Sequence, residues 1–329
     1  MRGRWLSTAA AALVLCLLLP LAGVAAPPPP PRVGVVLFSA TFRPAYLGLR
    51  DGLAGRGLVD GRQVTFDVED LQADPGRLPA LMQRLRQRRV AVIVTTTTPV
   101  ARRLQALNRE QALPLVFTMV ASPLQSGLVD SLRRPGRHTT GISHIAFETL
   151  PRRLILFKTA FPGLRRVALF YDPEEPFLQG VIERYLDRVA AELDIELVKL
   201  PVHDRAAMQR ESERLTRADI DGIFMLPDPR SVAMLDQLQA LASRERLPLM
   251  VVDNSLLPRA GVMAYSPAFY EVGRQAAGLV AAILGGADAG SLPVQNPLHV
   301  RLVVSMKEAR RLGLRPSDEI LAQADEIIR

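Results

Sequence analysis

Two regimes of apolar and polar positions alternate along this chain from Arg32 onward. RVGVVLF (32–38) is an unbroken apolar run of the kind that a strand buried on both faces gives. An amphipathic stretch, 43–57, follows at helical spacing. The same alternation predicts strands at 63–70, 90–96, 114–120 and 139–143, with helices at 75–88 and from Pro99. A second series then begins: helix 147–160, strand 165–171, helix 176–193, strand 195–202, helix 205–216, strand 222–227 and a helix reaching Arg244. Strands at 248–254 and 262–266, a helix at 267–284, a strand at 299–305 and one or two C-terminal helices complete the pattern. Strands alternating with helices of this length imply right-handed βαβ units and parallel sheets, an α/β fold. The strands are too many for one sheet of ordinary width. The restart near residue 145 predicts two doubly wound parallel-sheet lobes of similar build, although no sequence repeat links the halves.

The N-terminus changes the picture of where this fold works. Arg2 and Arg4 precede an apolar stretch, Leu13 to Leu19, and GVAA (23–26) offers small residues for cleavage. This is the pattern of a secretory signal peptide, residues 1–25, cut after Ala25 because proline follows Ala26. The stretch is short for a membrane span of ~20 residues; a retained N-terminal anchor is the alternative reading. Residues 26–31 form a proline-rich spacer. The one cysteine, Cys16, lies inside the signal segment, so the mature chain has no disulfide, thiolate nucleophile or cysteine metal ligand. A periplasmic location is expected.

Charge adds little. Removing Arg2 and Arg4 lowers the formal net charge from +8 to +6, and the remaining basic residues are scattered. The densest group, Arg84, Arg86, Arg88 and Arg89, falls at a predicted helix end and reads as a solvated face. No nucleic-acid partner is expected, since that would need clustered charge.

The ends of the predicted strands carry the candidate chemistry. A hydroxyl or carboxylate residue followed by proline recurs there: Asp74-Pro75, Thr98-Pro99, Ser122-Pro123, Asp172-Pro173, Asp228-Pro229 and Ser266-Pro267. Each pair fits a helix N-cap followed by proline at the first helical position. Together they fit a rim as well, because ligands of open parallel sheets bind beyond the carboxyl ends of the strands. Helix N-termini there offer amides and a positive dipole end. A crevice between two lobes would gather Ser39, Thr41, Thr97, Thr98 and Ser122 from the first. It would gather Tyr171, Asp172, Glu175, Asp228, Asp253, Asn254 and Tyr265 from the second. Tyr171, Phe177, Tyr265 and Tyr270 are candidates to stack on a flat ligand or to fill the core.

Catalytic and cofactor motifs are missing from the sequence. His138, His144, His203 and His299 form no HxxxH or HExxH pair, and His138 and His144 read as exposed turn residues. GLAGRG (52–57) has its glycines in the wrong order for a dinucleotide loop, and no GxxxxGK[ST] or GxSxG occurs. No metal, no cofactor and no enzymatic role is called for.

The chain resembles the substrate-binding proteins of ABC uptake systems that include tryptophan- and tyrosine-binding members. The resemblance rests on PLVFTMVASPLQSGLVDSLRRPGRHTTGIS (114–143), GLRDGLAGRGLVDGRQV, the TTP at 97–99, GRQAAGLVAAILGG and LVVSMKEARRLGL. It implies the type I periplasmic binding protein fold, with lobe 1 from 32–143 plus 267–292, lobe 2 from 144–266 plus 298–329, and three crossovers as a hinge. It implies a monomeric, non-enzymatic protein that captures a small molecule and hands it to an ABC permease in the inner membrane. A ligand-sensing subunit and an extracytoplasmic enzyme are the alternatives. Ser122, Thr97 and Arg137-His138 stand where the family pattern has Asp, Gly and Gly-Asn. The ligand therefore stays open between amino acids, nucleosides and small aromatic acids.

Overall fold

Five strands build the first sheet: β1 (Arg32–Leu37), β2 (Thr65–Asp70), β3 (Val92–Thr96), β4 (Leu115–Val120) and β5 (Thr139–Ser143). Their order is β2-β1-β3-β4-β5, and every neighbouring pair is parallel. The computed structural model describes residues 29–109, 112–173, 176–227 and 229–329, so the signal segment 1–25 lies outside the described residues. The helices α1 (Arg43–Ala54), α2 (Leu78–Gln87) and α3 (Thr98–Leu107) connect the strands. Alternation along β1 distributes its side chains to two cores. Val33, Val35 and Leu37 join Leu49 and Leu53 of α1, whereas Val36 joins Leu81, Met82 and Leu85 of α2. Both faces are covered at the central strands β1, β3 and β4, which is why these read as largely apolar runs.

Helix α4 (Leu150–Ala160) leads into the second sheet, whose strands are β6 (Arg166–Tyr171), β7 (Glu196–Pro201), β8 (Gly222–Phe224), β9 (Leu249–Val251), β10 (Met263–Ser266), β11 (Arg301–Ser305) and β12 (Glu326–Ile328). They lie in the order β12-β11-β10-β9-β8-β6-β7. Two expectations need correction. The segment 176–193 is not one α-helix: α5 (Pro176–Ile182) and α6 (Arg188–Glu192) flank a π-helical turn over Glu183–Asp187. The second sheet is not wholly parallel, because β10 and β11 run antiparallel with Ser266 opposite Arg301. The chain leaves this sheet at Ser266 and returns beside the same point, so the returning strand must run the other way. The short edge strand β12 pairs with β11 and went unread in the sequence.

Between those two strands the chain visits the first sheet as α10 (Phe269–Leu284), which packs on α1 through glycines. A Cβ on Gly48 would stand 1.9 Å from the Tyr270 carbonyl oxygen, and one on Gly273 would stand 1.9 Å from that of Ala45. The two helix backbones therefore touch, and Ala276, Val280 and Ile283 of α10 reach the core under β1, β3 and β4. After Leu292 the segment runs beside β5: Gln295 donates its amide to Gly141 and accepts the Ser143 amide at 2.8 Å.

Proline-led caps form at fewer places than expected. Asp74 caps a short 3-10 turn by accepting the Gly76 amide. Ser122-Pro123 begins a run of turns instead of a helix, and the helix after Asp172 starts only at Pro176. The helix after Ser266 is capped at Ala268, leaving the Ser266 hydroxyl to accept the Asn254 amide.

Ala in place of Gly48 or Gly273 should cost ~1–3 kcal/mol through overpacking, whereas Gly180→Ala, exposed in α5 with nothing near its Cβ, should gain ~0.5–1 kcal/mol. Urea unfolding of the three variants checks this. Asp221 supplies a pH-dependent contribution. Burial raises its pKa, but hydrogen bonds from the Arg166 side chain and the Arg165 and Arg166 amides outweigh that and leave it lowered. A lowered carboxylate pKa stabilises above the unfolded value of ~3.9 and loses that contribution as pH falls through the folded value. Asp221→Asn should therefore cost ~1–3 kcal/mol at pH 7, and the difference from wild type should shrink below pH ~4 in acid unfolding curves.

Candidate functional site

The four threonines at the end of β3 divide into two pairs. Thr95 donates its hydroxyl to the Val36 carbonyl at 3.3 Å, and Thr96 accepts the Phe38 amide at 3.0 Å. Thr118 donates to the Thr95 carbonyl. These bonds stitch the carboxyl ends of β1, β3 and β4 together, so Thr95 and Thr96 belong to the sheet. Thr97 is the N-cap of α3: its carbonyl accepts the Ala101 amide, but its hydroxyl makes no cap bond. Its backbone has φ 68 and ψ 149, a region that is nearly glycine-only and costs ~1–3 kcal/mol for other residues. Thr98 is the first helical residue, half-buried, and is followed by a proline without an N–H.

The other first-lobe candidates are less uniform. Ser39 is half-buried and caps a 3-10 turn without a side-chain bond, Thr41 is exposed, and Ser122 donates to Gln125 Oε1 at 2.8 Å. The pairing of β4 with β5 slips between Phe117 and Val120, where Met119 has φ 53. After this bulge the Val120 carbonyl accepts the His144 amide at 2.8 Å.

His144 is where the two lobes meet, and the expectation of an exposed turn histidine is corrected. Its side chain is only 12% exposed, and Nε2 lies 3.5 Å from Asp253 Oδ2. That is ion-pair distance, but no hydrogen bond forms, and Asp253 Oδ2 has no donor. Asp253 Oδ1 accepts the Ser255 amide. Asn254 donates its side-chain amide to the carbonyls of Ser266 and Arg301, so this residue ties the strand that leaves the second sheet to the strand that re-enters it. Tyr171 and Tyr265 are half-buried and pack on the second lobe's core, as does Ala121 from the end of the first lobe's β4. Asp172 is buried at the end of β6. Glu175 and Asp228 lie outside the described residues, as does the side chain of Phe177. Tyr270 donates its hydroxyl to Asp51 on the surface of the first lobe.

A residue that the sequence reading passed over completes the cluster. Arg153 of α4 is 1% exposed. Its Nη2 donates to the carbonyls of Met225, just beyond β8, and Val251, the last residue of β9, and its guanidinium lies 4.6 Å above the Phe224 ring. Burial pushes its pKa down to about 9, against the pull of the Asp253 carboxylate. The signal was present: Leu150, Arg153, Leu154 and Phe157 form one helical stripe, and a charge in a core stripe calls for a partner.

Among the described residues, eight buried side-chain polar atoms lack a hydrogen-bond partner: four lie on Arg153 (Nε and Nη1), Asp253 (Oδ2) and Asn254 (Oδ1) of the second lobe, and Thr97 Oγ1 is a fifth at the end of β3 in the first. Buried polar atoms are nearly always paired in folded proteins, so these five stand out from the rest of the structure. Among the described residues no group of three or more His, Cys, Asp or Glu could hold a metal ion, and no helix is long and apolar enough to cross a membrane.

Known proteins share this architecture. The family of ABC transporter substrate binding proteins matches residues 33–328. A tyrosine-binding protein of Clostridioides difficile (strain R20291) is 20% identical over 268 residues, 82% of this chain and 76% of that protein. The crystal structure of a conserved domain protein from Vibrio cholerae O1 biovar eltor superposes with TM-score 0.76 at 26% identity, covering 90% of this chain and 99% of the other. An ABC domain from Streptococcus pneumoniae in complex with L-Trp gives TM-score 0.75 at 20% identity, covering 91% and 100%.

Replacing Thr97 by glycine should release the backbone strain of ~1–3 kcal/mol, less ~0.5–1 kcal/mol for the added freedom of the unfolded chain. A raised unfolding midpoint in Thr97→Gly is the expected result, and a lowered one would mean that the side chain holds the turn.

Proposed function

This chain belongs to the family of ABC transporter substrate binding proteins, and from that premise we propose that it captures a small solute between its lobes and delivers it to an ABC permease. The observation that carries the reading is the set of partnerless buried atoms at the strand ends of both sheets, with Thr97 on one side and Asp253 and Asn254 on the other. A solute that bonds to both sides gains contacts that neither lobe gives alone, which favours the arrangement in which the lobes close on it. The lobes of this reading are 32–143 plus 267–292 and 144–266 plus 298–329. The signal segment 1–25 would direct a monomer to the periplasm. Amino acids are the favoured solutes, since similar proteins are described as tyrosine-binding or as complexes with L-Trp and Leu.

The rim of this proposal comprises Ser39, Thr97, Thr98, Ser122, Tyr171, Asp172, Asp253, Asn254 and Tyr265, with Thr41 at its exposed edge. Thr97 and Thr98 stand at the N-terminus of α3, whose first turn has no acidic residue. That end of the site suits the negative end of a solute.

Thermal unfolding of the purified protein with L-tyrosine, L-tryptophan, L-leucine, sugars and nucleosides tests the reading. A bound solute at a hundred times its Kd should add ~2.7 kcal/mol of stability. Thr98→Ala and Asp253→Ala should each weaken binding of the responding solute in calorimetry. Wild-type affinity in both variants would place the solute elsewhere.

A further inference from the structure

His144 begins the segment that leads from β5 to α4, the first crossing of the chain between the sheets. Its amide donates to the Val120 carbonyl at the end of β4. Its ring centroid lies 6.4 Å from that of Phe269, the first residue of α10, and Phe269 stacks at 5.0 Å on Phe42 of the first lobe. The first lobe therefore carries the imidazole. Asp253, facing its Nε2 at 3.5 Å, is carried by the second lobe just after β9, where Oδ1 accepts the Ser255 amide. The two side chains are 12% and 10% exposed, so solvent and salt screen the contact less than they would a surface pair. It is an ion pair only when the imidazole is protonated.

Arg153 stands behind the carboxylate. Its Nη2 is held by the carbonyls of Met225 and Val251, and its charge interacts favourably with Asp253. The acid side of the pair is thus backed by a fixed positive charge, while an imidazole is the side chain that ordinarily changes charge near neutral pH. The other charged groups on the surrounding elements are engaged elsewhere. On α10, Glu271 pairs with Arg274 at 3.2 Å and Tyr270 donates to Asp51. The turns after β4 hold no charged residue before Asp130, which pairs with Arg137. Beyond Asp253, Arg259 pairs with Asp236. Near the third crossing, Arg301 pairs with Glu326, and His299 is exposed with no carboxylate within 4.0 Å among the described residues. Glu148, on the first crossing itself, is exposed.

A turn of one lobe against the other changes the distance between His144 and Asp253, because their backbones are fixed to different sheets. We infer that these two residues form a proton-operated latch on the joint between the lobes. Protonation of His144 holds the solute-free protein in the arrangement in which the two side chains face each other, and loss of the proton releases it. The latch belongs to the free chain and is separate from solute capture. Arg153 is its positioning residue.

Distances between two spin labels read this out. Cys16 is the one cysteine of the sequence and lies within 1–25, so Gln83→Cys in the first lobe and Gln209→Cys in the second, both exposed, give a mature chain with one label on each lobe. Electron–electron double resonance is recorded without solute at pH ~5, ~6.5 and ~8 in the otherwise wild-type chain, in His144→Gln and in Asp253→Asn. The expected result is one dominant distance at the lowest pH, with a second distance gaining on it about threefold or more at the highest. Each variant should show the same distribution at all three values. Thermal unfolding at each pH establishes that the variants are folded, and either one suffices to decide. A distribution that does not change with pH in the wild-type background, a change of the opposite sense, or a change that persists in His144→Gln or Asp253→Asn would overturn the latch. Because no solute is present, none of these outcomes bears on solute capture.

Discussion

The seat of α10 on α1 fixes how the rest of the chain is laid out. A helix that returns to the first sheet after the second has been almost completed needs a surface prepared for it. Gly48, Gly52 and Gly273 prepare it by letting two helix backbones come into contact. The gain is dense packing of Ala276, Val280 and Ile283 against the strands. The consequence is topological. A chain that leaves the second sheet and comes back must pass between the sheets three times, at 144–149, 267–268 and 293–300. Those passages collect His144, Ser266 and the start of β11 in one place, and Asn254 reaches across to hold two of them.

Much of this was legible in the sequence, for a physical reason. Strands covered on both faces leave apolar runs, so the central strands of the first sheet could be placed from Val33, Val35, Val36 and their equivalents. What failed was local chemistry whose partner lay far away in the chain. Ser266-Pro267 has the form of a helix cap, yet the Ser266 hydroxyl is engaged by Asn254, twelve residues earlier. Ser122-Pro123 has the same form and leads into turns. The antiparallel direction of β11 follows from where the chain re-enters the sheet, which no residue pattern encodes. For the site, Thr97, Asp253 and Asn254 were readable as polar residues at strand ends. His144 was not, because only the bulge after Phe117 brings the Val120 carbonyl to its amide. Arg153 was readable in principle as a charge within an apolar helical stripe.

The cluster is energetically uneconomical as it stands. Thr97 holds a backbone conformation suited to glycine, Arg153 buries a guanidinium with two nitrogens unpaired, and Asp253 and Asn254 each bury an idle oxygen. Each feature destabilises the folded chain by something like 1–3 kcal/mol, which is a large share of the ~5–15 kcal/mol that domains have in total. Large cores on both faces of both sheets can carry such a load. In the proposed solute-binding reading, what the load provides is preorganisation. A partner that supplies donors to Asp253 and Asn254 meets groups already stripped of water and fixed in direction, so little of its binding energy goes to arranging them.

Placing this cluster at the passages between sheets has a mechanical meaning. A molecule shifts a conformational balance only by the difference in its contacts between the two states. Contacts confined to one lobe would bind without moving anything. Asn254 differs from an ordinary rim residue because the amide that orients its free oxygen also spans the ends of β10 and β11. His144 differs in the same way: it belongs to the first passage, is held by the first lobe through Val120, and faces Asp253 of the second. In the proposed mode of binding, a solute bonded to Asp253 and Asn254 therefore presses on the segments that set the angle between the lobes. Its hold on Thr97 across the crevice then makes that angle part of the binding free energy. In that mode recognition and closure would be one event, because the groups proposed to hold the solute lie beside the passages between the sheets.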